Sequence, residues 1–353
     1  MRIARYSAVG ILAATLSTGL IAAAVAQAPT PPAPTPPAPK AAPKPAPRKP
    51  AASETAPPTA AAPAAPRREL DMAYGAFQRG YYITAFSLAT ARAADQNDVK
   101  AMALLGELYA NGLGVERDDK KAAEWYGLAA ERGDREAMHA LAMLHFAGRV
   151  GGASREQGAK LLAAAAMLGH TLASYNLGLL YLEGQLFPQD LARAAELFRV
   201  AAQAGIPEAQ YALATFYKEG RGVPKDMTEA ARLLAAAARA DHTDAQVEYA
   251  IALFNGTGVA RNEQLAAILL ARAARKGNPI AQNRLANILA VGRGLQSNAV
   301  EAVKWHIIAK AGGVSDVPLD AFVQKQTPEV RAAGEKAAKP WIDALKEQRE
   351  SRS

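Results

Sequence analysis

The stretch LGELYANGLGVERDDKKAAEWYGLAAERGD, residues 105–134, contains the pattern that indicates the fold of this chain. Its glycine-rich turn and basic residues have the outline of a phosphate-binding loop, but the Gly-Lys-Ser/Thr ending of a nucleotide loop is missing. A structural turn, unlike a phosphate loop, can recur at a fixed period. This turn recurs every 36 residues without insertion, at Gly112, Gly148, Gly184, Gly220, Gly256 and Gly292. The pattern therefore predicts one module repeated six times and no phosphate site.

Each module has the pattern of two antiparallel helices. The second helix begins after residues whose side chains can cap free backbone N–H groups, namely Asp118, Ser154, Asp190, Asp226, Asn262 and Asn298. It ends at a mainly glycine column suited to the left-handed conformation, namely Gly133, Gly169, Gly205, Asp241, Gly277 and Gly313. The next column is expected to cap the following helix in only about half of the modules. Its members are Asp98, Asp134, His170, Ile206, His242 and Asn278.

Apolar columns predict how the modules pack. The first helices share a large apolar column, Leu105, Leu141, Leu177, Leu213, Tyr249 and Leu285, beside a column of glycine and alanine. The second helices keep alanine in all six modules, from Ala129 to Ala309. The spacing is that of helices buried along one stripe. Because no module can bury its stripe alone, neighbouring modules must stack into a continuous core.

From about residue 98 to 313 the chain resembles the Sel1-like repeats, which are relatives of tetratricopeptide repeats. The resemblance implies an all-α fold, a right-handed α/α superhelical solenoid, and for the family generally a role in holding other proteins rather than in catalysis. The turns at residues 147–154 and 183–190 depart from the pattern, so the loop path is expected to differ there. Some secreted relatives are clamped by disulfides, and this chain has no cysteine.

Shorter helical segments flank the repeats. Residues 69–98 have the pattern of a capping helix pair of the tetratricopeptide type, with its turn reduced to Gly80-Tyr81. Residues 314–353 predict C-terminal capping helices, one over 320–326 and one starting at Thr327-Pro328. Both ends are expected to shield the exposed core of the terminal modules.

The N-terminal region predicts export. Residues 1–26 begin with Arg2 and Arg5, continue with small apolar residues and end in Ala24-Val25-Ala26, which suits signal peptidase. We expect cleavage after Ala26 and a periplasmic or secreted protein. The alternative is an uncleaved signal that anchors the chain in the inner membrane.

Residues 27–68 form a Pro/Ala-rich linker that cannot build a core. Its proline-rich part would span about 120 Å if extended, either as a tether or as a plain disordered spacer. Residues 1–68 carry eight Lys/Arg and one Glu, a net +7 of the whole chain's +8. The folded part is therefore nearly neutral, and a nucleic-acid surface is not expected. The basic linker suggests weak contact with anionic envelope polymer or lipid.

Catalytic and metal-binding patterns are missing, so we expect no enzyme, cofactor or metal. There is no cysteine nucleophile, nucleophile elbow or His-Glu-x-x-His motif, and no two of the five histidines are four residues apart. A pair of carboxylates such as Glu183 and Glu219 leaves weak glycan hydrolysis open.

By analogy with tetratricopeptide repeats, the candidate partner-binding surface is expected on the first helices, at positions outside the core columns. These positions are apolar or aromatic where a soluble surface would be polar, and they include Phe146, Tyr175, Leu179, Tyr211, Ile251 and Phe254. They form either a peptide-binding groove or additional core. We predict an exported scaffold or adaptor that binds a protein or peptide. The alternative is a cell-envelope factor that engages peptidoglycan or exopolysaccharide, as an accessory to a hydrolase or as a weak hydrolase.

Overall fold

The computed structural model describes residues 71–95, 97–150 and 154–350. These residues contain sixteen helices and no strand: α1 Met72–Gln78, α2 Tyr82–Asp95, α3 Val99–Asn111, α4 Asp119–Glu131, α5 Arg135–Phe146, α6 Arg155–Met167, α7 Thr171–Glu183, α8 Leu191–Gln203, α9 Pro207–Glu219, α10 Met227–Arg239, α11 Thr243–Asn255, α12 Glu263–Arg275, α13 Pro279–Val291, α14 Ala299–Ala311, α15 Val317–Gln324 and α16 Pro328–Glu350. Helices α3–α14 form modules 1 to 6, two helices each, and the all-α solenoid is confirmed. The signal peptide and the linker lie outside the described residues and stay predictions. Among the described residues, no helix is long and apolar enough to cross a membrane.

The second helix of every module begins at its predicted cap. All six caps accept backbone N–H groups, as when Asp118 Oδ1 accepts from Lys120 N and Lys121 N at 3.1 and 3.0 Å. Each cap satisfies donors that the helix itself cannot. The helix starts were therefore specified locally.

The first helices are capped more often than predicted. The expectation of about half is wrong, because only the cap at Ile206 lacks a side-chain hydrogen bond. Two caps are histidines: His170 Nδ1 accepts from Ala173 N at 3.0 Å, and His242 Nδ1 accepts from Ala245 N at 3.2 Å. A neutral imidazole can serve as an acceptor through one ring nitrogen.

Two kinds of glycine join the helices. Between modules, the predicted left-handed column has φ from 71° at Asp241 to 92° at Gly313. Within the turn, Gly258 has no space for a side chain, since a Cβ there would lie 1.9 Å from the Met227 carbonyl oxygen of the preceding module. Val150 and Leu186 occupy the equivalent position in modules 2 and 3, which are the two modules whose turns depart from the pattern.

Small residues let the paired helices approach closely. The alanine column of the second helices is fully buried, at 0% exposure in each module: Ala129, Ala165, Ala201, Ala237, Ala273 and Ala309. Glycine replaces alanine on the first helix where the partner helix brings an aromatic ring. A Cβ on Gly106 would lie 2.6 Å from the Tyr126 ring, and one on Gly178 would lie 2.8 Å from the Phe198 ring. In the large apolar column, Leu141 and Tyr249 are half-buried and the other four residues are buried.

The two terminal helix pairs differ in what they expose. At the C-terminus, α15 begins at Val317, earlier than predicted, because Asp316 caps it by accepting from Leu319 N at 3.0 Å. Helix α16 starts at Pro328 as predicted, and its Trp341 ring packs edge-on to Trp305 at 5.2 Å. At the N-terminus, α1 and α2 form the predicted pair but leave Met72, Tyr74, Tyr81 and Ile83 exposed.

Candidate peptide-binding stripe

The predicted partner-binding residues lie at the fifth, ninth and twelfth positions of the first helices, which we call the inner stripe. The stripe consists of His139, Met143 and Phe146 on α5, Tyr175, Leu179 and Leu182 on α7, Tyr211, Thr215 and Lys218 on α9, Val247, Ile251 and Phe254 on α11, and Asn283, Asn287 and Ala290 on α13. These side chains have three different environments.

Part of the inner stripe is core. Leu179 is 5% exposed and packs in the same buried cluster as Phe198, and Val247 is 4% exposed. The placement of Leu179 on an open groove is therefore wrong. The close approach of α7 and α8 at Gly178 brings the Phe198 ring of α8 against this part of α7.

Three further candidates are half-buried and held by neighbours. The Phe146 ring leaves so little space that a Cβ on Gly158 would lie 2.9 Å from it. The Phe254 ring lies beneath the Arg293 guanidinium, 4.4 Å from the ring centroid, and Ile251 packs against the core of modules 5 and 6. These side chains contribute only their outer edges to a surface.

The stripe contains two half-buried tyrosines, Tyr175 and Tyr211. Tyr175 packs on the buried Phe198 ring at 5.7 Å, and Tyr211 stacks on His242 at 4.8 Å. In the part of the chain that the structure describes, neither hydroxyl makes a hydrogen bond, and neither is sealed from solvent. Each ring is thus held by a neighbouring ring, Phe198 or His242, while its hydroxyl group is available to bind a ligand.

Carboxylates on α9 and α11 lie near these two tyrosines. Burial, together with the nearby charge of Glu208, raises the pKa of Tyr175 to about 12. Burial and the charges of Glu248, Asp244 and Glu219 raise the pKa of Tyr211 to about 12. Both hydroxyls therefore remain protonated at neutral pH and can donate hydrogen bonds. Glu208, Asp244 and Glu248 occupy the second and sixth positions of α9 and α11, and none of them was predicted from the sequence.

At module 2 the inner stripe is closed by a buried polar cluster. The His139 and His170 rings stack at 4.3 Å, and Asn176 Nδ2 lies 3.2 Å from His139 Nε2. His170 Nε2 contacts Glu136 at 2.9 Å. Burial, and secondarily the adjacent His170, lowers the pKa of His139 to about 4. His139 is therefore neutral at physiological pH and is 6% exposed.

At module 6 the stripe is closed by the C-terminal cap. Asn283 and Asn287 donate their side-chain N–H groups to Asp316 Oδ2, at 3.1 and 2.9 Å. Asp316 also caps α15, so its hydrogen bonds connect the start of α15 to the inner stripe on α13. The open part of the inner stripe therefore consists of its half-buried residues in modules 3 to 5, without the buried Leu179 and Val247.

The repeat pattern identifies the family to which these modules belong. The Sel1 repeat matches six consecutive segments: residues 99–134, 135–170, 171–206, 207–242, 243–278 and 279–314. The chain belongs to the Sel1 repeat family. Repeats of this family are generally protein-interaction scaffolds.

Two solved structures show the same fold with modest sequence similarity. A Sel1 repeat protein from Oxalobacter formigenes is 26% identical, with a TM-score of 0.58 over 69% of this chain and 97% of that one. A protective antigen present in uropathogenic Escherichia coli strains, described as having an SLR fold, is also 26% identical, with a TM-score of 0.54 over 74% of this chain. The match spans 64% of the length of that antigen. Comparison with curated protein sequences gave no match.

The carboxylates and histidines considered for other chemistry have contacts of their own in this Sel1 repeat chain. Among the described residues, no group of three His, Asp or Glu side chains could hold a metal ion. Glu219, one of the carboxylates considered for glycan hydrolysis, lies 3.4 Å from Arg221 in an exposed ion pair. His306 Nε2 lies 2.8 Å from Asp320, a contact that ties α14 to the C-terminal cap. These contacts have structural roles.

Proposed function

We propose that the protein is an exported scaffold that binds an extended segment of another protein along the open inner stripe, with Tyr175 and Tyr211 as anchors. The observation that carries the proposal is the state of these two rings. Tyr175 packs on Phe198 and Tyr211 stacks on His242, while neither hydroxyl has a hydrogen-bond partner in the described part of the chain. Pre-positioned tyrosines supply a large, rigid apolar contact with a polar end, as interface anchors do.

Replacing both anchors tests the proposal, and the same two helices supply a matched control. In Tyr175→Ala/Tyr211→Ala, we expect capture of the partner from envelope extract to weaken by about 2 kcal/mol or more. Tyr181 and Tyr217 are half-buried tyrosines on α7 and α9 outside the inner stripe. Tyr181→Ala/Tyr217→Ala should destabilise the fold comparably and leave capture intact wherever the protein remains folded.

The capture experiment distinguishes the alternatives. Selective loss of one defined protein from the stripe variant supports the scaffold. An equal loss of partner capture in both double variants would show that the effect comes from reduced folding, and the assignment of Tyr175 and Tyr211 as anchors would be wrong. Retention of the wild-type protein on isolated wall sacculi, without a protein partner, would favour a factor that engages peptidoglycan.

The export part of the proposal is supported by the sequence of residues 1–26, with its basic start and its Ala24-Val25-Ala26 end. We expect the mature chain to begin at Gln27 and to fractionate with the periplasm or medium. Intact-mass measurement of the protein from the envelope fraction checks this. A chain that retains Met1 and pellets with membranes would contradict it and indicate an inner-membrane anchor.

A further inference from the structure

Charge is segregated between the two helices of modules 3 to 5. The first helices α7, α9 and α11 carry five acidic residues and one basic residue, a net charge of 1 − 5 = −4. The second helices α8, α10 and α12 carry six basic and three acidic residues, a net charge of 6 − 3 = +3. Within the near-neutral folded part, the acidic helices are therefore the ones that carry the inner stripe.

The acidic residues of these first helices lie around the two anchor tyrosines. The charge of Glu208 reaches Tyr175, and the charges of Glu248, Asp244 and Glu219 reach Tyr211. Three of these four carboxylates have a partner within the protein. Lys218 pairs with Glu248 at 2.9 Å, Arg221 pairs with Glu219 at 3.4 Å, and the Asn278 amide donates to Asp244 at 3.0 Å.

Glu208 makes no ion pair or hydrogen bond with any residue that the structure describes. It is half-buried, so an uncharged ligand placed over Tyr175 would desolvate its carboxylate without compensation. An acidic ligand would meet repulsion from the same groups. A cationic group would relieve both costs and could also lie against the tyrosine faces.

We propose that the segment bound by the inner stripe is a basic extended peptide. Its Lys or Arg side chains meet Glu208, Asp244 and Glu248 while its apolar atoms rest on Tyr175 and Tyr211. This inference rests on the proposed function and adds the chemistry of the partner. The complementary charge accelerates encounter and selects against acidic segments.

The first test uses the full chain and two labelled synthetic peptides of equal length, one repeating Ala-Lys-Pro and one repeating Ala-Glu-Pro. Fluorescence anisotropy should show binding of the lysine peptide only, weakening as salt rises from low concentration to about 0.15 M, where screening sets in within about 8 Å. Equal binding of both peptides would overturn the inference. So would no binding of the lysine peptide at a protein concentration of about 1 mM.

The second test neutralises the carboxylates. In Glu208→Gln/Asp244→Asn/Glu248→Gln, the lysine peptide should bind about tenfold more weakly at low salt, since partly exposed ion pairs contribute modestly. The matched control is Glu124→Gln/Glu196→Gln/Glu229→Gln, which changes the net charge equally on the second helices α4, α8 and α10. It should bind like wild type. Equal weakening in both triple variants would mean that net charge alone acts, and the inference would be wrong.

The two proposals fail in different ways. If the native partner is still captured by the carboxylate variant but lost by Tyr175→Ala/Tyr211→Ala, the stripe binds a partner that is not basic. If the tyrosine variant retains capture while folded, the stripe is not the binding surface. Loss of capture in both variants, with both controls intact, supports both proposals.

Discussion

Two junctions between modules both have a histidine as the helix cap, but the stripe residue that stacks on this histidine is buried at one junction and half-buried at the other. Where module 2 meets module 3, the cap His170 stacks on His139 at 4.3 Å. Where module 4 meets module 5, the cap His242 stacks on Tyr211 at 4.8 Å. His139 is 6% exposed and belongs to a closed polar cluster, whereas Tyr211 is half-buried with a free hydroxyl.

The sixth residue of the following first helix also differs between the two junctions. In module 3 this residue is Asn176, and its amide reaches His139 at 3.2 Å and Met143 Sδ at 3.7 Å. In module 5 it is Glu248, which pairs with Lys218 and leaves the tyrosine uncovered. The buried stripe residue is thus contacted by a polar side chain of the neighbouring module, and the half-buried one is not.

The largest expected effect is a loss of stability on substitution at the ninth position of the first helices, in the modules between the two junctions. Leu179→Asp places a charge in a site that is 5% exposed, so it should lower the free energy of unfolding by about 4 kcal/mol. Thr215 occupies the same position one module later and is half-buried. Thr215→Asp should cost about 1 kcal/mol or less.

Urea unfolding followed by circular dichroism measures both substitutions. A similar cost in the two variants would show that the buried Leu179 and the half-buried Thr215 tolerate a charge equally. The division of the inner stripe into buried and open residues would then be wrong.

The next effect is a pH dependence confined to the closed junction. His139 has its pKa lowered from 6.5 to about 4 in the folded protein. Between these values the unfolded chain binds more protons than the folded chain, so stability falls as pH falls through this window. The facing groups are His170 in the stack, Asn176, and Glu136 beyond His170. The contribution of His139 amounts to about 3 kcal/mol at full extent.

Comparing wild type with His139→Gln isolates this contribution. Unfolding free energies measured between about pH 7 and pH 4.5 should fall more steeply for wild type than for the variant. Parallel slopes would mean that His139 is solvated enough to protonate in place, and the closed junction would not differ from the open one in this respect.

Much of the fold was predictable because it is specified within each module. The helix starts at Asp118 and its equivalents depend on a side chain that bonds backbone groups two or three residues away. The number of capped first helices was underestimated for a local reason too. His170 and His242 accept backbone N–H groups, a role that was not assigned to histidine. The glycine columns likewise follow from backbone geometry alone.

The candidate site was predictable only in outline. The stripe positions follow from helical periodicity, which placed Tyr175, Leu179 and Tyr211 on one face. Periodicity does not say how much of that face a neighbour covers. Leu179 was therefore named as a candidate groove residue, with core as the alternative, and it is buried; Glu208 was overlooked although its charge reaches Tyr175.

By itself, the sequence determined the 36-residue period, the helix ends and the stacking of apolar columns, because each depends on spacing or on contacts a few residues apart. The tertiary structure decided which stripe residues are surface. The deciding contacts join residues far apart in the chain, such as Asn176 with His139 across 37 positions and Asp316 with Asn287 across 29. Burial depends on the side chains that a neighbouring module brings into contact, and spacing within one module does not contain that information.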